Sequence, residues 1–117
     1  MMTNNNELAR RYIELEYQQG LNNVNSLSRG NASATTINSE RFGNEIRRYQ
    51  MMAQAGFISQ QEAATKIAEL EHQRDINNVN NMVMGGVSEY TINKERIETE
   101  KRYLLALQEA QNMRVQE

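Results

Sequence analysis

The chain has no cysteine, no proline and no tryptophan, and only one histidine. Without cysteine there can be no disulfide framework and no thiolate ligand for a zinc or redox site. Proline makes up about 5% of an average chain, and a chain without it is typically rich in helix with few shaped loops. A single histidine leaves little material for a catalytic triad or a histidine-based metal site.

The chain also lacks an excess of positive charge and any long apolar run. Its net charge is −2 and its pI is about 5.5, whereas a nucleic-acid-binding face needs a basic stripe. No run approaches the roughly 20 apolar residues that span a bilayer, and the polar start has no signal-peptide core. We therefore expect no nucleic-acid partner, no membrane span and no secretion by a signal peptide.

Apolar residues are in modest supply for a chain of 117 residues. Only 38% of the residues are hydrophobic, and the mean hydropathy is −0.80. The length fits a single domain, which we place at residues 1–117. We expect narrow apolar stripes on helices, with a partner or a second copy covering what one chain leaves exposed.

A long stretch of the sequence occurs twice. The segment Asn-Asn-Val-Asn at residues 22–25 recurs at 77–80, and Thr-Ile-Asn at 36–38 recurs at 91–93. Sliding residues 1–62 onto 56–117, an offset of 55, gives 22 identities without a gap. This pattern indicates an internal duplication, with one repeat at about 4–58 and the other at about 59–117.

Helical periodicity runs through both repeats. In the first, Leu8, Tyr12 and Leu15 follow one another at i, i+4 and i+7, which predicts one apolar stripe on a helix from Asn4 to about Ser28. Each repeat then has a polar loop, at 29–37 and at 85–92, followed by a second helix. The prediction is an all-α protein of two αα-hairpins, forming either a four-helix bundle or an open helical array.

Three residues are predicted as helix N-caps. Asn38 and Asn93 each follow an isoleucine and precede a glutamate in the first turn, which the helix dipole favours. Ser59 with Glu62 three residues later has the spacing of a capping box. Gly56 is expected to end the second helix just before it.

The sequence contains few residues in a pattern suited to catalysis or metal binding. Glu69 and His72 have the Glu-x-x-His spacing of carboxylate metal bundles, but Tyr17 stands at the position of His72 in the first repeat, and this is only half of a site. Gly85 and Gly86 lack the context of a phosphate cradle. We therefore predict no catalytic residue, no metal ligand, no cofactor and no enzymatic activity.

The repeated Asn-Asn-Val-Asn segment has one possible mechanism. Asn22 with Asn77, or Asn25 with Asn80, could pair across the duplicated helices and set their register, as a buried asparagine does in coiled coils. The alternative is that these side chains face water.

Two segments resemble parts of phage proteins. Residues 55–63, Ala-Gly-Phe-Ile-Ser-Gln-Gln-Glu-Ala, leading into Lys66–Glu71, resemble helix–turn–helix segments of phage tail tape-measure proteins. Gly-Gly-Val-Ser at 85–88, lying between two helices, is similar to segments of the internal virion proteins that help short-tailed phages eject their genome. The resemblance implies a viral origin, in a virion or a host cytoplasm, and assigns no role to any residue.

Two functions are expected from these observations. The first is a non-enzymatic structural or assembly protein, viral in origin, that acts through helix faces as a homo-oligomer or against other virion proteins. The second is a small protein-binding inhibitor of a host defence protein. The first predicts self-association, whereas the second predicts a stable monomer or dimer that captures a host partner.

Overall fold

The computed structural model describes the backbone of residues 5–116 and the side chains of residues 5–113. It contains four helices and, over these residues, no strand: α1 Asn5–Arg29, α2 Ala34–Gln54, α3 Gln60–Met84 and α4 Glu89–Gln116. The predicted all-α class is confirmed. The first residues of α1 and α3 are 55 apart, as are those of α2 and α4. The predicted start of α1 at Asn4 lies outside the described residues.

Serines, not the predicted asparagines, cap the N-termini of α2 and α4. Ser33 is the N-cap of α2, and its Oγ accepts a hydrogen bond of 3.1 Å from the amide of Thr36. Ser88 makes the corresponding 3.3 Å bond with the amide of Thr91 before α4. The predicted caps Asn38 and Asn93 were wrong, because the helices begin four residues earlier and both asparagines lie inside them.

The third predicted cap, Ser59, lies at the N-terminus of α3. Its Oγ accepts a 3.0 Å bond from the amide of Glu62, which satisfies one of the first-turn donors. Because α2 and α4 start early, the connections at 30–33 and 85–88 are shorter than the predicted loops 29–37 and 85–92.

A left-handed residue ends each of the first three helices. Asn31, Gly56 and Gly86 have φ of 63°, 81° and 76°. At Gly56 the amide donates to the carbonyl of Ala53, and the next amide, of Phe57, donates to Met52. These are the two bonds of a Schellman motif, and they pair carbonyls that the helix end would leave open.

The four helices lie side by side in one layer. Over the described residues α1 contacts α2, α2 contacts α3 and α3 contacts α4, and no other pair of helices is in contact. The Cα atoms span 62 × 42 × 9 Å. Two stacked layers, with axes about 8–10 Å apart, would be at least about 12 Å thick at the Cα atoms. Of the two predicted arrangements, the chain takes the open array.

One layer buries few large side chains. The buried apolar residues of the described chain are mostly small: Ile13, Val24, Ala53, Ala63, Ala68, Val79, Ile92 and Ala110. Many larger apolar side chains are exposed instead, among them the predicted stripe of Leu8, Tyr12 and Leu15. Among the described helices, none has the length and apolar character that a bilayer span requires.

Candidate functional site

The α2–α3 contact contains a cluster of asparagines. Asn38 lies on the α3 side of α2 and is only 8% exposed. Its Nδ2 donates to Asn78 Oδ1 at 3.0 Å and to the Arg74 carbonyl at 3.3 Å, and its Oδ1 accepts from Asn77 Nδ2 at 3.2 Å. Both ends of the Asn38 amide are therefore satisfied, as a buried polar group requires. We call these three asparagines the Asn clamp.

The asparagines predicted to set the helix register do not pair as predicted. Asn77 pairs with Asn38 of α2, not with Asn22, while Asn22, Asn25 and Asn80 are exposed. The predicted pairing of Asn22 with Asn77 or of Asn25 with Asn80 is absent because α1 and α3 are not neighbours in the layer. Asn38 and Asn78 were not predicted as packing residues, although each has an identical counterpart in the other repeat, Asn93 and Asn23 respectively.

Within the first hairpin, Tyr17 joins α1 to α2. Its hydroxyl donates to the Glu45 carboxylate, and the Arg48 guanidinium lies 4.4 Å above its ring centroid. The hydrogen bond to Glu45 raises the pKa of Tyr17 because it favours the protonated phenol. Burial and the negative charge of Glu45 raise it further, while Arg48 acts in the opposite direction.

The second hairpin repeats this arrangement with other residues. His72, at the position of Tyr17, has its Nε2 2.8 Å from Glu100 Oε1, at the position of Glu45. Tyr103, at the position of Arg48, stacks on the imidazole with ring centroids 4.0 Å apart. Both hairpins therefore have an aromatic ring, a carboxylate that contacts it and a planar group stacked on it at corresponding positions. The geometry gives His72 a packing role between α3 and α4.

At one pair of corresponding positions, the two hairpins place the larger residue on opposite helices. In the first, Asn44 is buried over Gly20 and its Nδ2 donates to the Tyr17 carbonyl at 3.1 Å. A Cβ on Gly20 would lie 1.8 Å from Asn44 Oδ1. In the second, the corresponding positions hold Asp75 on α3 and Thr99 on α4, so the larger residue is on the first helix and the smaller one on the second. Gly20 therefore makes room for Asn44 between α1 and α2.

The concave surfaces offer little for chemistry. An open groove of about 610 Å³ crosses α2, α3 and α4 and is lined mainly by alanine and glutamine side chains. Among residues 5–113 no three His, Asp or Glu side chains are placed to hold a metal ion. The Glu69 carboxylate lies 4.0 Å from the Lys66 ammonium group, while His72 contacts the Glu100 carboxylate, so the two residues of the Glu-x-x-His pair have different partners.

The outer helices of the layer each present an exposed apolar side. On α1 we define the α1 edge as Leu8, Tyr12, Leu15, Asn22 and Asn23. On α4 we define the α4 edge as Asn93, Ile97 and Leu104. The apolar members are exposed by between 49% and 69%. In the described part of the chain the asparagine side chains of both edges are exposed and make no hydrogen bond.

Comparison with protein families, with curated proteins and with solved structures finds no match.

Proposed function

We propose that this protein is a non-enzymatic assembly protein that acts by self-association through its helix edges. The observation that carries the proposal is the open layer, which leaves both outer helices without a neighbour on one side. Exposed apolar side chains are normal when scattered singly, whereas contiguous apolar patches mark interaction sites. Here three exposed apolar side chains of α1 follow one another along its free edge, and Ile97 and Leu104 lie on the free edge of α4. Tyr90 and Leu105 of α4 are also exposed, outside the edge as defined.

Energy considerations support a partner for these edges. Burying a leucine, isoleucine or other large apolar side chain stabilises by about 1.5–3 kcal/mol relative to leaving it in water. Five such side chains lie on the two edges: Leu8, Tyr12, Leu15, Ile97 and Leu104. An assembly that covers them gains a driving force which the isolated layer forgoes.

The setting of the assembly is part of the same proposal. The resemblance of residues 55–71 and 85–88 to segments of phage tail and internal virion proteins supports a role in a virus particle. A non-enzymatic role is further supported by the packing function of His72, the one histidine in the chain.

The test is the solution mass by light scattering across a concentration series. We expect the mean mass to rise above the 13.5 kDa of one chain as the concentration increases through the micromolar range. A mass that stays at 13.5 kDa at every concentration would contradict self-association. It would favour the second candidate, a monomer whose exposed edges bind a different protein such as a host defence factor.

A further inference from the structure

The residues that form the contact between α2 and α3 have counterparts on the exposed sides of α4 and α1, at the two ends of the layer. Adding 55 to a position in α1 gives the corresponding position in α3, and α2 corresponds to α4 in the same way. The side of α3 that faces α2 therefore corresponds to the exposed side of α1. Likewise, the side of α2 that faces α3 corresponds to the exposed side of α4.

The α1 edge matches the inner side of α3 position by position. Asn77 and Asn78 of the Asn clamp correspond to Asn22 and Asn23, which are identical residues. Ala63, Ile67 and Leu70 lie on the same side of α3, at helical spacing from Arg74 and Asn77. They correspond to Leu8, Tyr12 and Leu15. Ala63, Ile67 and Leu70 on α3 are buried or half-buried, whereas their counterparts on α1 are exposed. Asn78 is half-buried and Asn77 is exposed, and both bond Asn38.

The α4 edge matches the inner side of α2. Asn38, the centre of the clamp, corresponds to Asn93, again an identical residue. Phe42 and Tyr49 follow Asn38 on the same side of α2 and are half-buried. They correspond to Ile97 and Leu104, which are 57% and 62% exposed. Both halves of the interface are therefore present on one chain, at opposite ends of the layer.

We propose that the α4 edge of one copy binds the α1 edge of the next as α2 binds α3. This inference rests on the proposed function and names the partner as a second copy in head-to-tail order. Asn93 would bond Asn22, Asn23 and the Gln19 carbonyl of the next copy, the counterparts of Asn77, Asn78 and the Arg74 carbonyl. Because the two edges differ, the contact is heterologous and continues the layer as a ring or an open filament.

The register follows from the internal contact. The helices α2 and α3 run antiparallel, with Asn38 beside Asn78 at one end and the buried Ala53 and Ala63 lining one groove at the other. Transferred to the edges, this register sets Leu104 against Tyr12 and Asn93 against Asn23. Lys101 takes the place of Ile46, so its aliphatic stem covers Leu15 while its ammonium group reaches water.

Site-specific crosslinking tests the inference on a chain that has no cysteine of its own. Asn23→Cys and Asn93→Cys proteins are mixed and treated with a short bismaleimide. We expect covalent dimers in the mixture and few in either protein alone. Asn38→Cys with Asn78→Cys in one chain is the positive control, because their side chains already meet at 3.0 Å in one molecule.

Substitutions of the edges give a second, independent readout. Leu15→Gln and Ile97→Gln should each raise the concentration at which the light-scattering mass is half-maximal by on the order of 30-fold, the effect of losing an interface hot spot of about 2 kcal/mol. Met84→Gln is the matched control, since Met84 is 86% exposed but lies on neither edge. Its assembly should equal that of the unsubstituted protein.

The outcomes separate this inference from the proposed function. If the unsubstituted protein assembles but the mixture does not crosslink, or either single variant crosslinks to itself equally well, the head-to-tail contact is wrong and self-association stands. A doubly substituted Asn23→Cys, Asn93→Cys chain that crosslinks only within one molecule would also overturn it, because the edges would then close on each other. An unsubstituted protein that stays monomeric rejects the proposed function and the inference together.

Discussion

At the scale of single residues, the space above Gly20 is filled by a neighbouring helix. A glycine inside a helix costs about 1 kcal/mol relative to alanine, so Gly→Ala there is usually stabilising. At Gly20 the added methyl group would meet Asn44 Oδ1 at 1.8 Å, and Asn44 is buried with its own hydrogen bond to Tyr17. The steric conflict outweighs the gain in helix propensity.

We therefore expect Gly20→Ala to lower the free energy of unfolding by about 1–2 kcal/mol, since overpacking costs about 1–3 kcal/mol. Urea denaturation followed by circular dichroism measures the change. Gly43→Ala is the control, because its Cβ would find only Arg47 at an ordinary 3.6 Å, and it should stabilise by up to about 1 kcal/mol. Equal effects at the two glycines would contradict the packing argument.

The second repeat suggests how the conflict can be relieved. There the position of Gly20 holds the larger Asp75, and the position of Asn44 holds the smaller Thr99. Adding Asn44→Thr to Gly20→Ala should recover part of the lost stability, because the shorter side chain leaves room for the methyl group. A double variant as unstable as the sum of the two single variants would show that the residues do not couple.

The hydroxyl of Tyr17 predicts a dependence of stability on high pH. The hydrogen bond to Glu45 raises the pKa of Tyr17 above the ordinary 10.0, so the folded state keeps a proton that the unfolded state has lost. The contribution is therefore complete below about pH 10 and is lost as the pH rises through the folded pKa. At higher pH a phenolate would face the Glu45 carboxylate.

Tyr17→Phe isolates this contribution from the other tyrosines. Urea midpoints of both proteins are compared from about pH 8 to about pH 11. We expect the variant to be less stable at the lower pH, through the lost hydrogen bond, and the difference to shrink above about pH 10. A difference that stays constant over the whole range would refute the role of the hydroxyl.

At the scale of elements, the Asn clamp decides how α2 meets α3. Replacing Asn38 with alanine removes three hydrogen bonds and leaves the Asn78 carbonyl oxygen, the Asn77 amide and the Arg74 carbonyl without this partner. Each bond contributes about 0.5–1.5 kcal/mol, and a buried group left unpaired costs more. We expect Asn38→Ala to lower the free energy of unfolding by about 2–3 kcal/mol.

Asn93→Ala provides the matched control for Asn38→Ala. It is the same substitution at the corresponding position of α4, where the side chain is exposed. At a dilution that keeps the protein monomeric, its effect should stay within about 0.5 kcal/mol, as for other surface substitutions. If both variants lost the same stability, the clamp would not be what holds α2 to α3.

At the scale of the whole molecule, the single layer gives the chain a larger radius of gyration than a compact domain of the same number of residues. A compact domain of this size has a radius of gyration of about 13 Å, whereas the Cα atoms here give 17.2 Å. Small-angle X-ray scattering at high dilution should therefore extrapolate to a value near 17 Å. A value near 13 Å would mean that α1 and α4 close on each other in solution.

Local sequence signals determined the elements of this protein. Apolar periodicity, the Ser59 cap and Gly56 are effects of neighbouring residues along the chain, and they placed four helices and the turn between α2 and α3. The starts of α2 and α4 differ from the prediction because Ser33 and Ser88, each bonded to a threonine amide three residues on, cap these helices in place of Asn38 and Asn93. Of the four asparagines predicted to set the register, only Asn77 makes an interhelical hydrogen bond within residues 5–113, and its partner is Asn38.

Tertiary structure alone decided what those residues contact. Periodicity shows which side of a helix is apolar, but it cannot show whether that side meets a neighbour or water. Leu15 and Leu70 are identical and correspond in the two repeats, yet one is exposed and the other half-buried, because α3 has a helix on both sides and α1 on only one. In the same way Asn38 is buried and Asn93 is exposed, since the position of a helix in the layer is not encoded in its own residues.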